Sequence, residues 1–152
     1  MAAAMPHTAA EPSPPPRSRP ATKREQRQAS VASLGAATLE LFVAQGYRQT
    51  PVEQIGRAVG LTKGAVFFYF GSKAGLLRHL LDGVEVAVVD GLEQNLAAAG
   101  DDARDQLVAF IHSQARLGVE HWREVLLLIL MSLEFAGQGE LGERIATIYR
   151  RL

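Results

Sequence analysis

Apolar residues in this chain recur at spacings of three and four, the period of helices that bury one face. From Thr22 the pattern predicts a first helix with Leu34, Thr38, Leu41, Phe42 and Gln45 on one stripe and Val31 and Ala37 flanking it. Lys23, Arg27, Gln28 and Glu40 lie elsewhere on the same helix. Thr22 is a natural cap for this helix, and Gly46 a natural left-handed stop. After the connector Tyr47 to Gln49, the run Thr50, Pro51, Glu53 signals a second start. Threonine caps, proline suits the first helical position, and an acid sits well on the positive end of the helix dipole. Val52, Ile55, Ala58 and Val59 are expected to supply the buried face of this short helix, and Gly60 to end it. Leu61 plugs the turn and Thr62 caps the next helix. Gly56, which costs about 1 kcal/mol in helix propensity, marks a place where the two helices approach closely.

That pair has the spacing and turn chemistry of a helix-turn-helix. Its second member, Lys63 to Phe70, can turn Val66 and Phe70 inward, which leaves Lys63, Gly64, Ala65, Phe67, Phe68 and Tyr69 for other surfaces. A purely structural helix rarely opens with Lys, Gly and Ala. A groove-reading helix does, because small residues let its backbone approach base edges while lysine reaches a guanine or a phosphate. Gly71 breaks the helix, and Ser72 caps another whose first residue, Lys73, adds charge to the free amides of a helix start.

From Ser72 the pattern predicts one helix through Leu76, Leu77, Leu80, Leu81, Val84, Val88 and Leu92 to about Ala98. Asp102 to about Val119 gives another, with Leu107, Phe110, Ile111, Gln114 and Leu117 along one side. Trp122 to Phe135 is apolar almost all round and is expected to be buried between other helices. After the turn AGQGE a last helix starts near Glu140 and continues toward Leu152. The fold class is therefore all-α.

Composition agrees with a folded chain: 47% of 152 residues are apolar, and there is no cysteine to make a disulfide or thiolate metal site. The opening MAAAMPHTAAEPSPPPRSRP lacks the apolar core of a secretory signal, and Val125 to Met131 is far too short to span a bilayer. A cytoplasmic protein with no membrane partner is the expectation. The zero net charge conceals an asymmetry, because residues 1 to 80 carry ten basic against four acidic side chains and residues 81 to 152 carry six against twelve. Only the first half is charged to meet a polyanion. Residues 1–21 read as a disordered Pro- and Ala-rich tail whose Arg17 and Arg19, continuing into Lys23, Arg24 and Arg27, form a basic arm.

The run LGAATLELFVAQGYRQTPVEQIGRAVGLTKGAVFFYFGSKAGLL resembles the N-terminal domain of the tetracycline-repressor (TetR) family of bacterial transcriptional regulators. The likeness covers residues 24 to 84. It is carried by the LF and G closing helix 1, the Thr before helix 2, the I..A.G turn, the T.GA opening, and the GSK link to a leucine-bearing helix. The resemblance implies an all-α homodimer whose first three helices bind a double-stranded DNA operator. The remaining helices would bind the partner subunit and a small apolar or amphipathic effector that relieves repression. Thr62, Lys63, Gly64, Ala65, Phe67 and Phe68 match family positions that contact DNA, and Thr50, Tyr69 and Lys73 match positions near phosphates. Phe67 stands where the family usually has tyrosine, with Tyr69 two residues on to compensate. The family's last two helices, which form most of a four-helix dimer interface, have no counterpart, so the regulatory part reads as C-terminally truncated. On this basis the chain divides into the tail, a DNA-binding domain over 22–71 with its helix-turn-helix at 51–70, and a helical regulatory domain over 72–152.

Candidate effector contacts are Phe110, Gln114, Trp122, Leu126, Ile129 and Met131, amphipathic or apolar side chains on helices that border a cavity. No catalytic, cofactor or metal site is legible: His7, His79, His112 and His121 share no close ligand spacing, and there is no phosphate loop or nucleophile elbow. Glu120, His121 and Glu124 suit a solvated or capping role better than a metal. The alternatives to a ligand-released repressor are a helical protein-interaction module and a truncated regulator with impaired dimerisation. The first leaves the Thr62 to Ala65 opening without a purpose.

Overall fold

Capping chemistry sets the helix boundaries of the first half. In the computed structural model, which describes residues 22–152, helix α1 spans Lys23–Gln45. The tail expected over 1–21, with Arg17 and Arg19, lies outside the described residues. The Thr22 hydroxyl accepts from the Glu25 amide while the Glu25 carboxylate accepts from the Thr22 amide, a reciprocal pair that satisfies two free donors of the first turn. Those hydrogen bonds hold the Glu25 carboxyl below the usual carboxylate range. Gly46, at φ 87°, stops the helix as expected.

Helices α2 (Val52–Ala58) and α3 (Lys63–Phe70) form the helix-turn-helix, followed by α4 (Lys73–Glu85). Gly60, at φ 71°, makes the left-handed turn between them. Gly56 is buried where an added Cβ would lie 2.8 Å from the Leu61 carbonyl oxygen and 3.1 Å from the Thr62 carbonyl carbon. The close approach expected there is thus to the backbone of the turn leading into α3. Ala58, expected in the buried face of α2, is exposed, because Val52, Ile55 and Gly56 already fill the contact with α1 and α3.

The long helix expected from Ser72 to Ala98 is interrupted. α4 passes into a π-helical turn at Val86–Asp90 before α5 (Gly91–Ala98), and the wider turn lets the consecutive Val88 and Val89 both reach the interior. Then come α6 (Ala103–Glu120), α7 (Trp122–Phe135) and α8 (Gly139–Arg151). No strand occurs among the described residues, and no helix among them is long and apolar enough to cross a membrane.

One apolar cluster runs from Leu34, Phe42, Ile55 and Val66 through Leu76, Leu77 and Leu81 to Leu127, Met131, Ile145 and Ile148. α7 is buried on one side only: Leu127, Leu128 and Met131 are interior, while Ile129 and Leu133 are exposed, contrary to its expected all-round burial. The reason is that α6 covers little. Of its residues only Ser113 is buried, hydrogen-bonded at 2.9 Å to Asn95 on α5, and Leu107, Phe110 and Ile111 face outward. α8 is clamped to the α4–α5 rod by charge. Arg144 pairs with Asp82 at 2.9 Å and with Glu85, and Arg151 reaches Glu85 at 2.5 Å and Asp90 and Glu93 at 2.9 Å each. These arginines hold the Glu85 carboxyl below its ordinary value.

Candidate nucleic-acid interface

The first turn of α3 is presented outward by packing behind it. Val66 is buried and Phe70 half-buried against the core, which fixes the helix rotation and leaves Thr62, Lys63, Gly64, Phe67 and Phe68 exposed on the opposite side, with Ala65 intermediate. The Thr62 hydroxyl accepts from the Ala65 amide at 3.2 Å, so the α3 start is capped by its own side chain. Phe68 is 73% exposed, so its ring is offered outward on the same side as Lys63 and Gly64. Tyr69 is half-buried and stacks edge-on with Phe68 and Phe70 at 5.3 and 6.4 Å.

Cations surround this surface. The Arg27 guanidinium, on α1, lies 5.9 Å from the Phe68 ring centroid and 5.8 Å from that of Tyr69. Lys63 forms an ion pair with Glu53 at 2.5 Å and stands 5.7 Å from the Phe67 ring. Lys73 opens α4 behind the Ser72 cap, whose hydroxyl accepts from the Gly75 amide at 2.9 Å. Its ammonium sits 4.5 Å over the Tyr47 ring, and burial there lowers its pKa. Tyr47 packs edge-on against Phe42 and Phe135 at 5.2 and 5.3 Å, and burial raises its phenol, reinforced by Glu134.

Thr50 does not belong to this surface. Its side chain is fully buried, donating to the Gly46 carbonyl at 2.7 Å and accepting from Gln45 Nε2 at 3.1 Å. It closes the C-terminus of α1, while Pro51 takes the cap position of α2 with no side-chain cap bond. A hydroxyl with both roles filled inside the protein is not offered to a phosphate, which corrects the expected contact. The sequence also gave no sign that Glu53 would meet Lys63 or that Arg27 would lie over Phe68 and Tyr69, because both contacts depend on how separate helices cross.

In the second half, Gln114, Trp122, Leu126 and Ile129 line one apolar groove of about 460 Å³ together with Leu117 and Val125, between α6, α7 and the end of α8. Met131 is fully buried plain core, and Phe110 lies outside the groove on exposed α6; both depart from the expected set. His121 bridges α6 and α7 as a cap residue with its Nδ1 3.8 Å from Glu124, and no group of three or more His, Asp or Glu side chains able to hold a metal occurs among the described residues.

A cluster of helices presenting a capped, aromatic and basic second helix defines a helix-turn-helix head. Residues 34–80 match the model for bacterial regulatory proteins of the tetR family. The chain is 29% identical over 119 residues to the transcriptional regulator AcrR of Shigella flexneri, covering 77% of this chain and 55% of that protein. It is 35% identical over 75 residues to the regulator BetI of Stenotrophomonas maltophilia (strain R551-3), covering 49% and 38%. The crystal structure of the MbdR regulator from Azoarcus sp. CIB superposes with a TM-score of 0.71 at 41% identity, over 80% of this chain and 64% of that one. Over residues 34–80 the chain therefore carries the N-terminal domain of tetR-family bacterial regulatory proteins. It spans between about a fifth and just over half the length of the curated relatives it matches.

Proposed function

We propose that this protein is a sequence-specific DNA-binding transcriptional repressor, released by a small apolar or amphipathic effector, acting in the cytoplasm as a homodimer. The observation that carries the reading is the outward first turn of α3, where Thr62, Lys63, Gly64 and Ala65 combine an exposed helix start capped only by Thr62, small side chains and a cation. Residues 22–71 are the reading head, with Lys63, Gly64, Ala65 and Phe68 in the major groove and Tyr69 and Lys73 toward phosphates. Phe67 replaces a hydroxyl with a ring that packs against Lys63, so the phosphate contact passes to Tyr69.

Residues 72–152 are the regulatory part, and α7 supports the coupling. One side of α7 lines the 460 Å³ groove through Trp122, Leu126 and Ile129. The same helix reaches the head through Arg123 and Glu40 at 2.5 Å, Glu134 and Arg48 at 3.1 Å, and the Phe135–Tyr47 ring pair. An effector that favours a shifted α7 therefore acts on α1 and on the connector to the helix-turn-helix, changing the separation of two heads that must match half-sites one helical turn or a multiple apart.

The test is binding to duplex DNA against salt. Each phosphate neutralised contributes about −0.9 to the double-logarithmic slope, so a head with several such contacts is expected to give a clearly negative slope, about −2 or steeper. A slope near zero would remove the DNA reading.

A further inference from the structure

We infer that Glu53 is a selectivity gate on the reading head, a carboxylate that occupies Lys63 until a correctly placed DNA acceptor displaces it. The inference rests on the DNA-binding reading above. Lys63 is the one cation in the first turn of α3, and its ammonium lies 2.5 Å from the Glu53 carboxylate of α2. Both side chains are half exposed, so the pair is formed at the surface DNA would approach and not in the interior. The Phe67 ring, 5.7 Å from the same ammonium, closes the other side. The contact crosses the elbow of the helix-turn-helix, and it is strong enough to lower the Glu53 carboxyl, with the Lys63 hydrogen bond as the largest cause.

Two consequences follow from the geometry. Against DNA that offers only the backbone, Lys63 must leave a good partner to gain a similar one, so it adds little attraction, and Glu53 stays beside the phosphates as a repelling charge. Against a guanine edge in the right register, the O6 and N7 acceptors hold the lysine together with the other contacts that only the right sequence completes, and their sum displaces the carboxylate. The pair lowers affinity for the wrong sequence more than for the right one, which is how specificity arises from a difference.

The test uses the full chain, fluorescence anisotropy, and a labelled mixed-sequence duplex of about two helical turns. Glu53→Gln keeps the shape and removes the charge. It is expected to tighten mixed-sequence binding by roughly two- to fivefold, the size of one exposed ion pair, and to steepen the salt slope by about one phosphate's worth. In the Lys63→Met background the same Glu53→Gln change is expected to give a clearly smaller gain, the part that comes from relieved repulsion alone. A full gain in both backgrounds would mean simple repulsion by Glu53, and no gain in either would mean no role; each overturns the gate. A wild-type chain with no salt-dependent binding would instead overturn the DNA reading itself, and the gate with it. Circular dichroism of each variant, showing unchanged helix content and melting within about 2 °C, assigns the differences to the interface.

Discussion

Replacing Thr50 by valine separates two roles that the sequence alone confuses. The substitution is nearly isosteric, and the site is fully buried, so its cost comes from hydrogen bonding and not from volume. Thr50 donates to the Gly46 carbonyl at 2.7 Å, a group at the C-terminal end of α1 where helical carbonyls lack intrahelical partners. Gln45 Nε2 would lose one acceptor at 3.1 Å but keep Gln54 Oε1 at 2.8 Å. The net loss is one part-buried bond and the partner of a half-buried carbonyl, about 1–3 kcal/mol, offset by less than about 1 kcal/mol for the buried methyl gained. A destabilisation of about 1–2 kcal/mol should lower Tm by about 2–8 °C in a chain of this size. Thermal melts followed by circular dichroism measure it, with Thr50→Ser, which retains the hydroxyl, expected to recover most of the hydrogen-bond part. A Tm within 1 °C of wild type, accompanied by weaker DNA binding and a shallower salt slope, would show that Thr50 is a phosphate contact after all.

Other outcomes follow from the same packing. Phe68→Ala removes an exposed ring, so stability should change by less than about 0.5 kcal/mol while DNA affinity falls, measured by melting and anisotropy together. Phe42→Ala removes a fully buried ring packed on Tyr47 and should cost about 3–5 kcal/mol, read from denaturant titration. Glu85 has a folded pKa below its ordinary 4.5, so its contribution is present above that value and lost as pH falls through the lowered one. Glu85→Gln should therefore destabilise by about 1 kcal/mol at pH 7 and flatten the loss of stability with acid, checked by urea titrations between pH 3 and 7. Leu126→Arg should abolish binding of an apolar dye such as ANS in the α6–α8 groove, followed by fluorescence titration, without unfolding the half-buried site.

Helix starts and stops were legible because they depend on one or two adjacent residues. Thr22, Gly46, Gly60, Thr62, Gly71 and Ser72 each act within a single turn of chain, and the structure uses every one of them where local chemistry puts it. Thr50 was misread because its hydroxyl had two local options, forward to α2 or back to α1, and the crossing of those helices decides. The π-helical turn at Val86–Asp90 leaves no trace in the 3.6-residue pattern, since the valines fit either register. Candidate effector residues divided in the same manner: spacing put Met131 and Ile129 on one apolar helix, and only the packing of α7 sends the first into the core and the second into the groove. Ion pairs such as Lys63 with Glu53 and Arg151 with Glu85 span ten and sixty-six residues and follow from tertiary contact alone.

The central claim is that the turn opening at Thr62 enters the DNA groove, and an amide chemical-shift titration of the isotope-labelled chain with duplex DNA tests it most directly. The largest shifts are expected at Lys63 to Phe68 and at Ser72 and Lys73, with the exposed amides of α6 unmoved. Shifts concentrated on α6 to α8, with the Thr62 to Ala65 amides unchanged, would contradict it.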